Sequence, residues 1–250
     1  MARAELPPAR SVWTATPAGQ PQARVRLLGD AIVFACPGMR NTTQRHAATL
    51  LCSTDGQALR ATCNGRTVEA QSLLIAPMAC KTVEALGRPL LLIDLEPSHP
   101  HYRHFQALAV PGIQALQGAQ GAALQDLGRA FAAGQLQGQA VDAQVREAVA
   151  ATVRQLQQPA PLDPRMRKLM CLLDEDPGAE LERLAPLLGL SAHHASRLFH
   201  QGLGLPLRRY ALSIKIRAAA SFMGSGLSLT QIAQAAGFVD SAHFAKVWSQ

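Results

Sequence analysis

The sequence predicts an α+β protein: a small antiparallel β-barrel with accompanying helices in the amino-terminal half, then an all-α carboxy-terminal domain of two helix-turn-helix units. Three observations carry this. Short β-type runs broken by Gly, Pro and Asn fill the region from Arg24 to Leu95, helical spacing replaces them beyond about Leu116, and one helix-turn-helix signature is written twice near the end. At 250 residues the chain has room for two domains, each with its own core.

Residues 1–22 carry Pro7, Pro8, Pro17 and Pro21 with few large apolar side chains, which predicts a loose or extended arm. Candidate strands are 25–28, 31–35, 48–52, 58–63, 72–76 and 90–95, separated by Gly29-Asp30, Pro37-Gly38, Asp55-Gly56, Asn64-Gly65 and Gly87-Arg88. Asn64-Gly65 is a strong hairpin signal, because both residues tolerate the positive φ of a two-residue turn. Many short strands without helical pattern between them predict an antiparallel barrel or sandwich.

Helical periodicity follows. Leu124, Leu127 and Phe131 form one stripe, and Val141, Val145, Ala148, Thr152 and Leu156 form another behind Asp142. These stripes require burial, either on the barrel or on a second copy of the chain; a homodimer is the expectation and packing within one chain the alternative. Pro159, Pro161 and Pro164 then break the pattern as a linker. Beyond it, helices are predicted over 165–173, 180–188 with a kink at Pro186, 191–201, and 206–223 opening on Pro206. At roughly 1.5 Å per residue the last of these spans about 27 Å, near the roughly 34 Å between successive major-groove faces.

The duplicated signature reads Leu184-Ala185, Gly189-Leu190-Ser191 and Arg197-Leu198-Phe199 in its first copy, and Ile232-Ala233, Gly237-Phe238, Asp240 and Lys246-Val247-Trp248 in its second. The alanine allows close helix crossing, the glycine can take the left-handed conformation of a tight turn, and Ser191 or Asp240 can cap the helix that follows. A basic residue six positions after each cap suits a recognition helix lying in a major groove. The chain's formal net charge is +7, and from Ser191 onward Arg197, Arg208, Arg209, Lys215, Arg217 and Lys246 face Asp240 as the sole acid, which favours a polyanionic partner.

With Gly204, Pro206, Tyr210, Arg217, Ala219, Leu227-Ser228-Leu229 and His243-Phe244 in order, the stretch from Leu181 to Trp248 resembles the DNA-binding domain of the AraC/XylS family of bacterial transcription regulators. Arg45-His46, Asn64-Gly65-Arg66, Ile75-Ala76-Pro77 and Leu92-Ile93-Asp94-Leu95-Glu96-Pro97 are similar to the cupin-like sensor domain of many members. The resemblance implies a sensor barrel with an arm over 1–110, a helical dimerisation segment over 111–158, a linker over 159–164 and a DNA-binding domain over 165–250. It implies double-stranded DNA, an unidentified small-molecule effector and a second copy of the chain as partners, with RNA polymerase a candidate further one. Because Gln250 falls inside the second recognition helix, the second unit is expected to be truncated.

The same resemblance places base contacts at His193, Ser196 and Arg197 in the first unit and at Ser241, Ala242 and Lys246 in the second. Arg197 can bond bidentately to guanine, whereas Arg208, Arg209, Lys215 and His243 suit phosphate. Effector candidates are His46, Cys80 and Lys81, with Cys80 the best thiol because a neighbouring cation favours the thiolate. Five scattered cysteines without a paired motif argue against a disulfide framework and read as core residues. His46 alone among histidines falls in the strand region, and His99, His101 and His104 lie in an expected loop, so neither a metal nor any cofactor is expected. No catalytic constellation appears, and the chain is expected to be a non-enzymatic, cytoplasmic protein without a membrane segment. The alternatives are a cupin-like metal-dependent enzyme with an accessory helical domain, and a thiol-based stress-sensing regulator.

Overall fold

The computed structural model describes residues 12–13, 23–222 and 226–248. The expected arm over 1–22 lies outside the described residues except for β1 (Val12–Trp13), as do Met223 at the expected helix end and Gln250. Ten further strands follow: β2 (Arg24–Leu28), β3 (Ala31–Cys36), β4 (Met39–Thr43), β5 (Ala48–Ser53), β6 (Leu59–Cys63), β7 (Arg66–Ala70), β8 (Ser72–Ile75), β9 (Lys81–Ala85), β10 (Leu90–Leu95) and β11 (Ile113–Ala115). The helices are α1 (Tyr102–Gln106), α2 (Gly118–Ala132), α3 (Gln139–Val153), α4 (Pro164–Glu175), α5 (Leu181–Leu184), α6 (Ala192–Leu203), α7 (Leu207–Ser221), α8 (Leu229–Ala235) and α9 (Ser241–Trp248).

The amino-terminal strands form two antiparallel sheets rather than one closed barrel. One runs β1-β4-β9-β6-β7 and the other β11-β8-β5-β10-β3-β2. Leu51, Leu73, Leu90 and Leu92 from the second sheet meet Leu59, Ala61, Cys63 and Val83 from the first in one apolar core. The opposite face of the second sheet, with Val33, Leu50, Leu91 and Ile93, packs under helices. β5 and β10 are therefore buried on both faces, which is why Leu90 to Leu95 reads as a continuous apolar run instead of alternating. Asn64 and Gly65, at φ 47° and 84°, make the two-residue turn that pairs Cys63 with Arg66, as the hairpin signal requires.

The helical stripes are covered within the chain. Leu124, Leu127 and Phe131 of α2 share a core with Cys52 and Leu91, and Val141, Val145, Val149 and Val153 of α3 join the same cluster. α3 is also tied to β2, where Arg26 donates two hydrogen bonds to Asp142 at 2.8 and 2.7 Å. The linker leads to α4, whose Asp163 cap accepts from the Arg165 amide at 2.8 Å with Pro164 in the first turn.

Gly128 lets α2 approach the sheet. A Cβ there would sit 2.9 Å from Thr54 Cγ2, 3.2 Å from Cys52 Sγ and 3.3 Å from Leu91 Cβ. Gly128→Ala should therefore destabilise the protein by about 1–3 kcal/mol through overpacking. A lowered denaturant midpoint at unchanged slope would confirm this, and an unchanged midpoint would show that the helix has room to shift.

Candidate nucleic-acid interface

Each reader unit is built on the same backbone turn. In the first, Gly189 takes φ 67°, its amide donates to Pro186 O at 3.0 Å and the Leu190 amide to Ala185 O at 3.1 Å. In the second, Gly237 takes φ 77°, its amide donates to Gln234 O at 3.0 Å and the Phe238 amide to Ala233 O at 2.9 Å. Both patterns satisfy the last carbonyls of one helix with a left-handed glycine just beyond it. The next helix then starts on a side-chain cap: Ser191 accepts from the His194 amide at 3.2 Å, and Asp240 from the His243 amide at 2.6 Å. Pro186 ends regular α-helix as expected, with α5 stopping at Leu184 and a 3₁₀ turn carrying the chain through Leu188.

The inner faces are apolar. Ala195, Phe199 and Leu203 of α6 are buried, with the Phe199 ring packed edge-on to Tyr210 at 5.3 Å. Ala195 is fully buried, so its small size is what close packing there requires. Ile232, Ala233, Phe238 and Phe244 form the second unit's core against Ala219 of α7. Ser228 and Gln231 close a reciprocal capping box at the start of α8.

The outer faces carry the expected base-contact residues. His193, Ser196 and Arg197 are exposed on α6, with His200 and Gln201 beside them, a pair that sequence reasoning did not select. Counting 100° per residue from Phe199 would have found them, since both continue the outward face through the helix's second half. On α9, Ala242 and Lys246 are exposed and Ser241 is half-buried. α7, which links the units, covers 15 residues, about 22 Å at 1.5 Å per residue, shorter than the span expected from the sequence.

The phosphate candidates separate. Arg208 and His243 are exposed, and Lys215 lies over the second turn, its Cε 3.7 Å from the Cβ position of Gly237. Arg209 is exposed as well and lies near His46, where its charge adds to burial in holding that imidazole below its usual pKa. Arg217 bonds Asp174 Oδ1 at 3.0 Å and also the Ser98 hydroxyl.

The amino-terminal half reaches the reader through α1. The stretch expected to be a loop carrying His99, His101 and His104 instead contains this helix, with Tyr102 and Phe105 buried in the core that also holds Phe199, Leu203 and Tyr210. Arg103 donates to Gly202 O at 3.0 Å, and Gln106 donates to Leu203 O. Both acceptors are carbonyls of the last turn of α6, where intrahelical partners run out.

The effector candidates do not converge on one point. Lys81 is buried, bonded to the Thr49 hydroxyl, with Asp94 Oδ1 3.9 Å away; Thr49 in turn donates to Asp94 at 2.5 Å, and Arg45 approaches its other oxygen at 3.7 Å. Burial outweighs Asp94 and lowers the Lys81 pKa. His46 is half-buried, with Nδ1 lacking a hydrogen-bond partner among the described residues while its carbonyl accepts from Tyr102 at 2.8 Å. The Lys81 ammonium acts on Cys63, yet burial prevails and pushes that thiol up to about 11. Cys36 and Cys52 are likewise pushed up by burial, to about 11 and about 12, which suits core residues rather than reactive thiols. Among the described residues no group of three or more His, Cys, Asp or Glu is placed to hold a metal, and no helix is long and apolar enough to cross a membrane.

Residues 184–250 match the family described as Helix-turn-helix domain. ToxT from Vibrio cholerae O395 superposes on 96% of this chain and 92% of its own, with a TM-score of 0.54 at 14% identity. Wild-type ToxT from Vibrio cholerae strain SCE256 with a bound unsaturated fatty acid covers 87% and 89%, with a TM-score of 0.53 at 12% identity. No curated protein matches the chain in sequence. Residues 184–250 thus match a helix-turn-helix domain, and the chain as a whole is similar in fold to ToxT, with its β-rich part first and its helical part second.

Glu96 lies just after β10. Burial first, and Asp94 next, push its carboxyl up to about 7. Between the ordinary carboxylate range and that value the folded protein keeps a proton that the unfolded chain has released, so stability falls as pH rises through this window. Glu96→Gln should flatten the thermal midpoint between about pH 5 and about pH 8 relative to the parent. Parallel pH profiles for the two proteins would assign the dependence elsewhere.

Proposed function

We propose that the protein is a sequence-specific, DNA-binding transcription regulator of the cytoplasm, not an enzyme, in which α6 and α9 read neighbouring major grooves. The observation that carries this is the repeated glycine turn and side-chain cap, each launching a helix with a buried inner face and an exposed outer one. Base readout falls to His193, Ser196 and Arg197 on α6 and to Ser241, Ala242 and Lys246 on α9, with Arg208, Arg209, Lys215 and His243 on phosphate. The apolar stripes that suggested a dimer are used inside the chain, so the two reader units of one chain are sufficient for this reading.

The β-rich half senses a low-molecular-weight effector, for which His46, Cys80 and Lys81 are the candidate residues. A fatty acid bound to ToxT, a protein of this fold, supports a small ligand here as well. Its effect passes through α1, whose Arg103 and Gln106 hold the end of the first recognition helix. An effector that binds better when α1 is in one position shifts the presentation of α6 by the difference in its two affinities.

Selection of bound duplexes from random sequence at about 150 mM salt should enrich two short segments about 10 base pairs apart. Arg197→Ala should relax preference at one position of one segment, a loss of about 1–3 kcal/mol of discrimination. Arg208→Ala should weaken all sequences alike and lower the salt slope by about one. Uniform loss from both substitutions, or no enrichment by the parent, would overturn the reading.

A further inference from the structure

The two recognition helices offer DNA different chemistry. From the cap onward they align with an offset of 49 residues, Ser191 with Asp240, His193 with Ala242, Ser196 with Ala245 and Arg197 with Lys246. Before the cap the offset is 48, since Ala185 corresponds to Ala233 and Gly189 to Gly237 in the two equivalent turns. The second turn therefore contains one extra residue between glycine and cap. Phe238 fills the place of Leu190 and is buried, so the additional residue is Val239, and it is 87% exposed.

An isopropyl group standing in water gains nothing for the fold. Asp240 is occupied in capping, and His243 packs edge-on against Phe238 at 5.6 Å. Beside Ser241 and Lys246, the leading face of the second unit is apolar and short: Val239, then Ala242 and Ala245, which lie away from the buried Phe244 and are exposed. The aligned positions of the first unit, His193 and Ser196, both carry hydrogen-bonding groups.

Only one group on the floor of the major groove is apolar, the C5 methyl of thymine. Side chains without donors or acceptors cannot tell guanine from adenine by their edges, but they can pack on that methyl and exclude water from it. Resting on the DNA-binding reading above, we infer that the second unit selects thymine through Val239, Ala242 and Ala245, so that methyl contacts add to the readout by Ser241 and Lys246 in the α9 segment and have no counterpart at His193 and Ser196 in the α6 segment. The exposed valine, costly to leave wetted in the free protein, is then a specificity-determining residue.

The test uses the full chain and the operator obtained by selection. The segment whose preference relaxes in Arg197→Ala belongs to α6, and the other belongs to α9. In the α9 segment, thymines are replaced singly by deoxyuridine, which removes the methyl and leaves every hydrogen-bonding edge intact. Affinity should fall about fourfold at each thymine in contact, the scale of one buried methyl, while the same replacement in the α6 segment changes little. Val239→Ser should erase the thymine-over-uracil preference at one position without altering the Arg197-dependent one; the residue is exposed, so folding is not at stake.

Equal affinity for thymine and uracil throughout the α9 segment, with sequence-selective binding otherwise intact, would overturn this inference alone. An unchanged preference in Val239→Ser would remove Val239 from it. Absence of any sequence-selective binding would overturn the inference together with the function on which it rests.

Discussion

The structure depends on one constraint, that backbone groups left over at helix ends must find partners. A helix leaves its last four carbonyls without intrahelical donors. At the end of the 3₁₀ turn and of α8, a left-handed glycine turns the chain back so that the next two amides serve. At the end of α6, Gly204 makes the same turn at φ 68° and its amide reaches His200 O at 2.8 Å, but Gly202 O and Leu203 O are taken by side chains from α1. A local need of the recognition helix is therefore met by the other half of the molecule. Moving α1 leaves those carbonyls to water and alters how α6 ends.

That dependence is reinforced by where the apolar surface lies. Tyr102 and Phe105 of α1, Met166 and Leu169 of α4, Phe199 of α6 and Tyr210 of α7 belong to the cluster that also contains Leu50 and Ile93 of the sheet. Such a core is close-packed and resists continuous deformation, so a change on its sheet side is passed on as a shift of whole helices. The charged groups have a different role. Lys81 and Asp94 sit together where neither is stable alone, and the Thr49 hydroxyl between them completes the arrangement. Removing one partner of such a pair leaves the other buried and uncompensated, so an anion that competed for Lys81 would disturb the sheet that supports α1.

Much of this was legible in the sequence, unevenly. All six candidate strands are present, because an apolar run between turn residues survives any packing. The missed strands, β1, β4, β7, β9 and β11, are polar or short: Arg40, Asn41, Thr42 and Thr43 make up most of β4, and its pairing with β1 and β9 is what makes it a strand. α1 was hidden by its five-residue length and by histidines without period, and the register of Tyr102 and Phe105 becomes apolar only against residues from the other half. The recognition helices were plain, since caps and glycine turns are local and their sequence signals are correspondingly local. The long-range ties of the site, Arg103 to Gly202, Arg217 to Ser98 and Arg209 near His46, carry no such signal and appear only once the halves are packed.

The pseudo-repeat shows how far a duplicated motif can diverge while its frame is kept. What stays fixed is what the backbone demands, namely the small residue at the crossing, the left-handed glycine and an oxygen-bearing cap. The outer positions are free of that demand, because a residue facing away from Phe199 or Phe244 contributes little to folding. His193 against Ala242 and Ser196 against Ala245 are accordingly differences that stability does not resist. The extra Val239 enters at the loop between glycine and cap, the one place where an insertion leaves both helices and their hydrogen bonds intact. Two reader units of one frame can thus come to recognise different chemistry, and one chain can read an operator that has no internal symmetry.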